Sequence, residues 1–553
     1  MLHRQVDYPL LRFHDERAAI VRETAERALA ATLRKGAPEY ILNDTCLQEL
    51  RRLGSDHSGV GEVRDLSAWR RLYRHIGGMA PPERVSALSA LIADYVEDVA
   101  GGFDRRVYGI ASRAVPGALG VLLSPQGLGG LGRALSPGGL ESLVATRLKI
   151  EGPVAELCRL ASRGTLVVVP THLSNLDSPL MGYALQLAGL PPTTYGAGKN
   201  LFTNPLLGFF MRNCGAYRVD RRIRHDLYKD VLKTSSQVIL ERGYHSMFFP
   251  GGTRSRSGRV EEHLKLGLLG TTLPATVTRL RREVRLEAGA AVRPIYIVPA
   301  TINLQLVLEA ETLIADYLKE TGKARFIIED DESSKPLKVL QFGRSLLRLS
   351  DEGVVRFGAP LDVLGNPVDG EGRSLDPHGR VIDLARYFLV KGQPQVVPQR
   401  DAEYMQDVGQ VVVQSFRRDT VLMATHLLAS VVFGRISAAL PNLDVYARLR
   451  APLEGTGLSL AVPAVLADIE RLQGALRARG HRLGHGANGS PQEVLETALL
   501  AFASYHAERA VYRRGADLAP GAAAPPVTDE LEVGDRQLLY YYQNRIDSLG
   551  VKP

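Results

Sequence analysis

The stretch that most constrains the fold runs from Thr165 to Leu187. Its first residues, Thr165 to Val169, are mostly β-branched and predict a buried strand, which Pro170 ends because proline has no N–H for a ladder hydrogen bond. Ser178, followed by proline, predicts the N-cap of an apolar helix that reaches the end of the stretch. A strand, a loop and a helix in this order are typical of an α/β protein, in which chemistry is placed at strand ends.

His172 and Asp177 lie between this strand and this helix. On an uninterrupted helix their spacing would turn the two side chains roughly 140° apart, so they meet only if the loop turns back. If they meet, Asp177 holds one imidazole nitrogen and leaves the other free as a general base. The sequence has no Gly-x-Ser-x-Gly elbow, so the nucleophile would be a substrate hydroxyl. A loop histidine beside a capping aspartate is the alternative for this pair taken alone.

A second candidate site follows the strand predicted from Tyr244 to Phe249. Two glycines predict a turn in which backbone amides approach an anion, with hydroxyl and guanidinium groups beside it to hold a phosphate: Gly251, Gly252, Thr253, Arg254, Ser255 and Arg256. The Gly-x-x-x-x-Gly-Lys-Ser/Thr pattern is missing, which disfavours a P-loop nucleotide site. A glycine turn with solvated arginines is the alternative.

The net charge of +8 is concentrated in one part of the 553-residue chain. Residues 191–280 contain 14 Lys and Arg against 6 Asp and Glu. A positive field there would attract a phosphate, a coenzyme or anionic lipid, whereas a solvated basic face is the alternative. Binding of nucleic acid is disfavoured, because the segment has no recognition helix or aromatic platform.

Cysteine usage and hydropathy limit the cellular compartments in which the protein is expected. The three cysteines, Cys46, Cys158 and Cys214, have no metal-ligand spacing and suit a reducing compartment. We expect no secretory signal at the N-terminus, because no apolar run follows its positive charge. Residues 114–132 and 420–434 are uncharged, but the first is rich in glycine and the second is short, so both are interpreted as core or interfacial segments.

The chain is long enough for two or three domains. We predict a helical N-terminal domain (1–110), a Gly/Pro-rich linker with a possible interfacial position (111–145), an α/β domain (146–392) and a helical C-terminal region (393–553). In the α/β part, further strands are predicted at 295–300 and 354–357 and a helix at 226–241. A capping box at Ser490 predicts a helix over 494–509.

Four blocks of the central region resemble, in order and spacing, the four motifs of glycerolipid acyltransferases. They are His172 to Asp177, Gly215 to Arg221, Phe249 to Arg256, and Val298-Pro299. Later stretches resemble more specifically the bacterial membrane-associated glycerol-3-phosphate (dihydroxyacetone-phosphate) acyltransferases: Lys265 to Gly267, Val355 to Pro360, Ala424 to Phe433 and Tyr541 to Asn544.

The resemblance implies an α/β acyltransferase domain with a mixed sheet flanked by helices. It implies transfer of a fatty acyl group from acyl-CoA or acyl carrier protein to the sn-1 hydroxyl of glycerol 3-phosphate, giving lysophosphatidate, without a metal or other cofactor. His172 would be the base, oriented by Asp177, and the acceptor phosphate would be held by Arg221, Arg254 and Arg256 with Thr253 and Ser255. Substrate-binding or structural roles fall to Gly215, Gly251, Gly252 and Pro299.

The expected location is the cytoplasmic face of a membrane, the inner membrane in a bacterium, with peripheral attachment. Two residues depart from the family pattern. Gly251 stands where the third motif usually has a glutamate, and Arg218 stands where the second commonly has an aromatic residue. The acceptor could therefore be lysophosphatidate or another lipid alcohol, and a catalytically weak lipid-binding homologue is the alternative from another class.

Overall fold

The computed structural model describes residues 8–55, 62–112, 148–202, 205–285, 293–321, 353–506, 508–514 and 529–552. The predicted linker, 111–145, lies almost entirely outside the described residues, as does the uncharged stretch 114–132. The described chain combines an N-terminal group of helices, a central sheet and a C-terminal group of helices, which confirms the predicted fold class.

The seven strands of the central sheet are β1 (Leu148–Glu151), β2 (Thr165–Pro170), β3 (Thr194–Gly198), β4 (Ala216–Val219), β5 (Ser246–Met247), β6 (Ile295–Asn303) and β7 (Gly353–Phe357). They lie in the order β1-β7-β6-β2-β5-β3-β4. The five strands from β6 to β4 are parallel, and β7 runs antiparallel to β6. The carboxyl ends of the parallel strands, including the central β2, therefore meet at one edge of the sheet.

The helices that connect these strands cover both faces of the sheet. They are α5 (Val154–Arg163), α6 (Asp177–Leu187), α7 (Pro205–Asn213), α8 (Asp226–Glu241), α9 (Leu266–Leu269), α10 (Thr272–Arg285) and α11 (Ala310–Thr321). Along β2, Leu166 and Val168 pack toward the face that carries α5 and α6, while Val167 and Val169 pack toward α10. Burial on both faces explains why the strand is a continuous apolar run rather than an alternating one.

The N-terminal helices are α1 (Phe13–Lys35), α2 (Pro38–Ser55), α3 (Leu66–His75) and α4 (Pro81–Val99). They share one apolar cluster with α8, in which Trp69 and Tyr95 pack with Leu227 and Tyr228. Charged contacts join the same elements, since Arg27 lies 2.7 Å from Glu241. The N-terminal helices are therefore fixed against the helix that follows β4.

The C-terminal region contains α12 (Pro398–Asp419), α13 (Ala424–Ala439), α14 (Val445–Arg448), α15 (Val462–Ala478), α16 (His485–Asn488), α17 (Pro491–Phe502) and α18 (Arg536–Asp547), with short strand pairs formed by Leu389–Val390, Gln393–Pro394, Val421–Leu422, Arg482–Leu483, Val511–Arg513 and Leu531–Val533. Helix α13 is buried among α11, α15, α17 and α18, which confirms that residues 420–434 are core. Within the described ranges, no helix combines the length and the apolar character needed to cross a bilayer.

Local predictions differ from the structure at three places. Helix α6 begins at Asp177 rather than after an N-cap at Ser178, because the Asp177 carboxylate turns back to the loop and accepts its N–H groups. The strand predicted over 244–249 is ladder-paired only at Ser246–Met247. The helix predicted over 494–509 ends at Phe502. The proposed domain boundaries stay predictions.

Candidate active site

The loop after β2 turns back and joins His172 to Asp177, the pairing that the resemblance implies. Nδ1 of His172 lies 2.9 Å from Oδ2 of Asp177. The same oxygen accepts the N–H groups of Leu173 at 2.6 Å and Ser174 at 2.8 Å. These two N–H groups fix the carboxylate beneath the ring, and Asp177 itself is fully buried. The fold of the loop thus brings the dyad together.

The Nε2 atom of His172 is available for proton transfer. The ring stacks on Phe249 with 4.1 Å between centroids, which sets its plane. Nε2 has no hydrogen-bond partner among the residues that the structure describes. Since Nδ1 is held by a carboxylate, the neutral ring carries its proton on Nδ1 and presents the Nε2 lone pair. This is the arrangement that a general base requires.

Arg221 lies just past the carboxyl end of β4, at the same edge of the sheet. Its side chain is accessible to solvent, and no described carboxylate lies within ion-pair distance of it. The surrounding protein nevertheless lowers the pKa of its guanidinium by desolvation, and repulsion from Arg254 adds to this. An accessible but partly desolvated cation is typical of a residue that lines an open cleft. Arg221 and Arg254 therefore face a common space.

The two arginines after the glycine turn have acidic partners. Arg254 lies 3.1 Å from the buried carboxyl group of Glu309, and Arg256 lies 2.7 Å from Glu320 on α11. Glu309 also accepts hydrogen bonds from Ser174 Oγ at 2.7 Å and from the Asn175 N–H at 3.1 Å. Burial raises the pKa of Glu309 to about 6, although Arg254 opposes this. Glu309 thus ties Arg254 to the loop that carries the dyad.

The predicted polar and glycine residues of the turn have different surroundings. Thr253 is exposed, whereas the hydroxyl of Ser255 donates to the carbonyl of Arg259 at 2.8 Å. Gly252 has φ +73°, and a Cβ there would overlap the side chain of Lys265. A Cβ on Gly251 would lie 2.8 Å from Oε1 of Glu261. The left-handed backbone therefore favours glycine at 252, and the side chain of Glu261 favours it at 251.

Gly215 and Pro299 lie away from the dyad. Gly215 stands at the amino end of β4, one strand length from Arg221, with φ +95° and Thr193 against it. Pro299 is paired with Val169 inside the sheet, and its carbonyl accepts the N–H of Gly358 at 2.7 Å. The sequence left both a substrate-binding and a structural role open for these two residues, and their positions fit a structural role.

The basic surplus of residues 191–280 is neutralised in large part by ion pairs. Eight of its cations lie within ion-pair distance of carboxylates, several of which come from other regions of the chain: Lys199, Arg218, Arg222, Lys229, Arg242, Arg254, Arg256 and Arg259. Arg218, which departs from the family pattern, is one of these and lies 2.6 Å from Asp98 on α4. The positive field of residues 191–280 is therefore weaker than the count of charged residues suggests. Arg221 differs from these eight cations, because no described carboxylate lies within ion-pair distance of it.

The sequence assigned no site role to four residues around the dyad: Glu261, which is half-buried, and Glu309, Tyr541 and Arg545, which are buried. The hydroxyl of Tyr541 is buried and has no hydrogen-bond partner among the described residues. Asn544, on the same helix as Tyr541, donates to the Ser257 carbonyl at 2.9 Å. The Tyr541 to Asn544 resemblance was the available signal for α18, whereas no spacing pattern pointed to the two glutamates.

Comparison with known proteins agrees with this site. Residues 153–303 match the family model described as Acyltransferase, a segment that contains the dyad, Arg221 and the glycine turn. Residues 153–303 are an acyltransferase domain. The resemblance to glycerolipid acyltransferases is thereby confirmed, because curated relatives of the acyltransferase domain carry the name glycerol-3-phosphate acyltransferase.

Two of these relatives show how far the similarity reaches. The glycerol-3-phosphate acyltransferase of Haemophilus ducreyi is 34% identical over 208 residues, which are 37% of this chain and 23% of the relative. That of Pseudomonas paraeruginosa is 32% identical over 171 residues, or 31% of this chain and 19% of the relative. The chain thus spans less than a quarter of the length of these relatives.

Among solved structures, the 1-acyl-sn-glycerophosphate (LPA) acyltransferase PlsC of Thermotoga maritima was found as a similar chain. It is 14% identical and covers 50% of this chain and 74% of its own, with a TM-score of 0.24.

Proposed function

We propose that this protein transfers a fatty acyl group from an acyl thioester to the sn-1 hydroxyl of glycerol 3-phosphate. The observation that carries the proposal is the pair of His172 and Asp177, 2.9 Å apart at the edge of the sheet, with no described residue bonded to Nε2. The names of the curated relatives support the acceptor. The product would be lysophosphatidate.

In this mechanism His172 Nε2 removes the proton of the acceptor hydroxyl as its oxygen attacks the thioester carbonyl. The C–O bond forms, the tetrahedral intermediate collapses, and the C–S bond breaks to release a thiolate. Asp177 stabilises the imidazolium that forms in between, because its carboxylate faces Nδ1. A thiolate is a good leaving group, so a single base is sufficient, and the imidazolium then returns its proton to the thiolate or to solvent. The buried carboxylate and the stacked Phe249 keep the base in one orientation throughout.

The acceptor phosphate would lie between Arg221 and Arg254. Arg221 supplies a cation without an acidic partner among the described residues, and Arg254 is close enough for the two guanidiniums to repel each other. A dianionic phosphate between them would relieve that repulsion and accept charge-assisted hydrogen bonds. Arg256 and Thr253 extend from the same turn, and Ser255 supports it through its bond to Arg259.

Peripheral attachment to the cytoplasmic face of a membrane is part of the proposal. Ile110 and Phe209 are 58% and 52% exposed, on neighbouring segments joined by the bond from the Gly102 N–H to the Arg212 carbonyl. Exposed arginines accompany them at positions 105, 106 and 212. Apolar side chains that enter a bilayer edge, surrounded by cations, fit a surface of anionic lipid. An acyl donor bound there would reach the site from the lipid side, whether it is carried by coenzyme A or by acyl carrier protein.

Lysophosphatidate or another lipid alcohol remains the alternative acceptor. An assay that offers glycerol 3-phosphate, dihydroxyacetone phosphate and lysophosphatidate in competition separates these possibilities. Binding of lipid without turnover of any acceptor would support the non-catalytic homologue instead. The catalytic proposal requires that acylation of at least one acceptor disappears in His172→Ala.

A further inference from the structure

The backbone N–H of the histidine in the dyad is held by a side chain that the sequence analysis did not single out. Oε1 of Glu261 accepts a hydrogen bond from His172 N at 2.9 Å. The residues are far apart in the chain, since Glu261 lies on the loop that follows β5. The bond therefore fixes the start of the dyad loop to the loop that carries the glycine turn.

The Glu261 carboxyl group occupies a space that only glycine at position 251 leaves open. A Cβ at 251 would lie 2.8 Å from Oε1 of Glu261, closer than real Cβ contacts allow, and 3.0 Å from Cδ. The turn itself is held by the Lys265 N–H, which donates to the Pro250 carbonyl at 2.6 Å. Gly251 and Glu261 thus form a complementary pair, in which the missing side chain of one makes room for the other.

The same loop holds the other side of the His172 peptide. The Ser255 N–H donates to the His172 carbonyl at 2.8 Å, so both backbone polar groups of His172 are bonded to residues 255 and 261. With the imidazole fixed by Asp177, the residue is restrained at the main chain and at the ring. Small displacements of such a base matter, because proton transfer requires hydrogen-bond distance to the acceptor hydroxyl.

The carboxyl group itself is enclosed. Oε2 of Glu261 is buried and has no hydrogen-bond partner among the described residues. The charged groups that face it are Arg545 from α18 and Asp177 from α6, one attractive and one repulsive. Burial is the dominant influence and raises the pKa of Glu261 to about 8. A proton on Oε2 leaves Oε1 free to accept the His172 N–H, so the bond does not depend on a buried negative charge.

We propose that Glu261 is a positioning residue for the base, delivering a carboxyl oxygen to the His172 N–H through the space above Gly251. This inference rests on the proposed function, since positioning serves catalysis only if His172 is the base. It assigns Glu261 to the acyl-transfer machinery. It also explains why position 251 is glycine, since any larger residue would overlap the Glu261 side chain.

A matched pair of variants tests the role in turnover. Glu261→Gln keeps an acceptor oxygen at Oε1, whereas Glu261→Leu has a similar volume and no acceptor. We expect Glu261→Gln to keep kcat within about 3-fold of the parent, and Glu261→Leu to lower kcat by about 10- to 100-fold with KM changed far less. Glu262→Ala is the control, because this neighbouring carboxylate is exposed and pairs with Arg417 at the surface. Equal kcat in Glu261→Leu and the parent would overturn the proposal.

A second experiment tests the pairing with Gly251. Gly251→Ala should lower both kcat and Tm in the parent protein, and it should lower neither further in a Glu261→Ala background, where the clashing oxygen is gone. Independent, additive effects of the two substitutions would contradict the shared space. Should Glu261→Leu fail to fold, this pair still decides the question, because Glu261→Ala removes atoms from the site rather than adding them.

Hydrogen exchange tests whether Glu261 holds His172 independently of whether the protein transfers an acyl group. The peptide containing His172, followed by mass spectrometry on the full chain, should lose protection in Glu261→Ala and keep it in Glu262→Ala. If the parent acylates no acceptor, the proposed function fails, while exchange and Tm still show whether Glu261 holds His172. Unchanged protection in Glu261→Ala would overturn the inference even in an active enzyme.

Discussion

One oxygen of Asp177 accepts the Nδ1 proton of His172 at 2.9 Å and two backbone N–H groups of the same loop. In Asp177→Asn the carbonyl oxygen can take this position and satisfy all three donors, but the neutral amide cannot stabilise the imidazolium that forms when His172 takes a proton. We expect kcat to fall by about 10²- to 10⁴-fold, the range typical of a lost general base. Steady-state kinetics measure the loss, and thermal unfolding checks that the fold is kept. Activity within a few-fold of the parent would contradict the dyad.

Arg221 offers a test of phosphate recognition. Arg221→Ala should raise the KM for glycerol 3-phosphate by about 10- to 100-fold and change the KM of the acyl thioester little, because a charge-assisted contact to the acceptor alone is lost. Arg224→Ala is the matched control, an exposed arginine three residues further along the chain. Equal effects of the two substitutions would assign Arg221 to the general basic surface.

The raised pKa of Glu261 predicts a dependence of stability on pH. The unfolded chain releases this proton near pH 4.5 and the folded chain at about 8, so the folded state binds the extra proton between these values. The contribution of Glu261 to the free energy of unfolding is therefore complete below pH 4.5 and is lost as pH rises through 8.

Glu261→Gln removes the titrating group and should flatten the decline of Tm between pH 5 and 8. Urea unfolding of both proteins across this range measures the difference in free energy. Parallel curves for the two proteins would show that the folded carboxyl group titrates near its ordinary value.

Gly258 connects the glycine turn to the C-terminal helix. It has φ +77°, and a Cβ there would overlap the carbonyl oxygen of Tyr541 on α18. Gly258→Ala should therefore lower the free energy of unfolding by about 1–3 kcal/mol. Gly182→Ala, on α6 with open space around it, should be neutral or slightly stabilising. Chemical denaturation compares the two, and equal stability of both variants would contradict the close approach.

The exposed apolar side chains give a prediction for membrane attachment. Phe209→Ser should reduce cosedimentation with vesicles of anionic phospholipid several-fold, because an aromatic side chain is lost from the surface that we propose to enter the bilayer edge. Tyr40→Ser is the control, since Tyr40 is 73% exposed on α2. Unaltered binding in Phe209→Ser would place the contact elsewhere.

The elements nearest to the dyad were predictable because each has a local signal. The β-branched run of β2 and the periodicity of α8 are properties of consecutive residues, and the structure has α8 over the predicted bounds, Asp226–Glu241. The contact of His172 with Asp177 was implied by the resemblance to glycerolipid acyltransferases, whereas the residues alone left open whether the loop turns back.

The surroundings of the dyad were not predictable in the same way. Glu261 and Glu309 reach His172 and Arg254 across long separations in sequence, and these contacts depend on how two loops fold over the sheet edge. The acidic partners of the basic segment lie on distant helices, such as Asp98 for Arg218. A count of charges in one segment cannot include them, which is why the positive field was overestimated.

We propose that His172 is the base in the transfer of an acyl group to an acceptor hydroxyl. Its most direct test is the conversion of labelled palmitoyl-coenzyme A and glycerol 3-phosphate to product, with lysophosphatidate and dihydroxyacetone phosphate as competing acceptors. We expect labelled lysophosphatidate in the parent and none above background in His172→Ala. Equal product in both proteins would contradict this role of His172. So would a folded parent that acylates no acceptor from either acyl-CoA or acyl carrier protein.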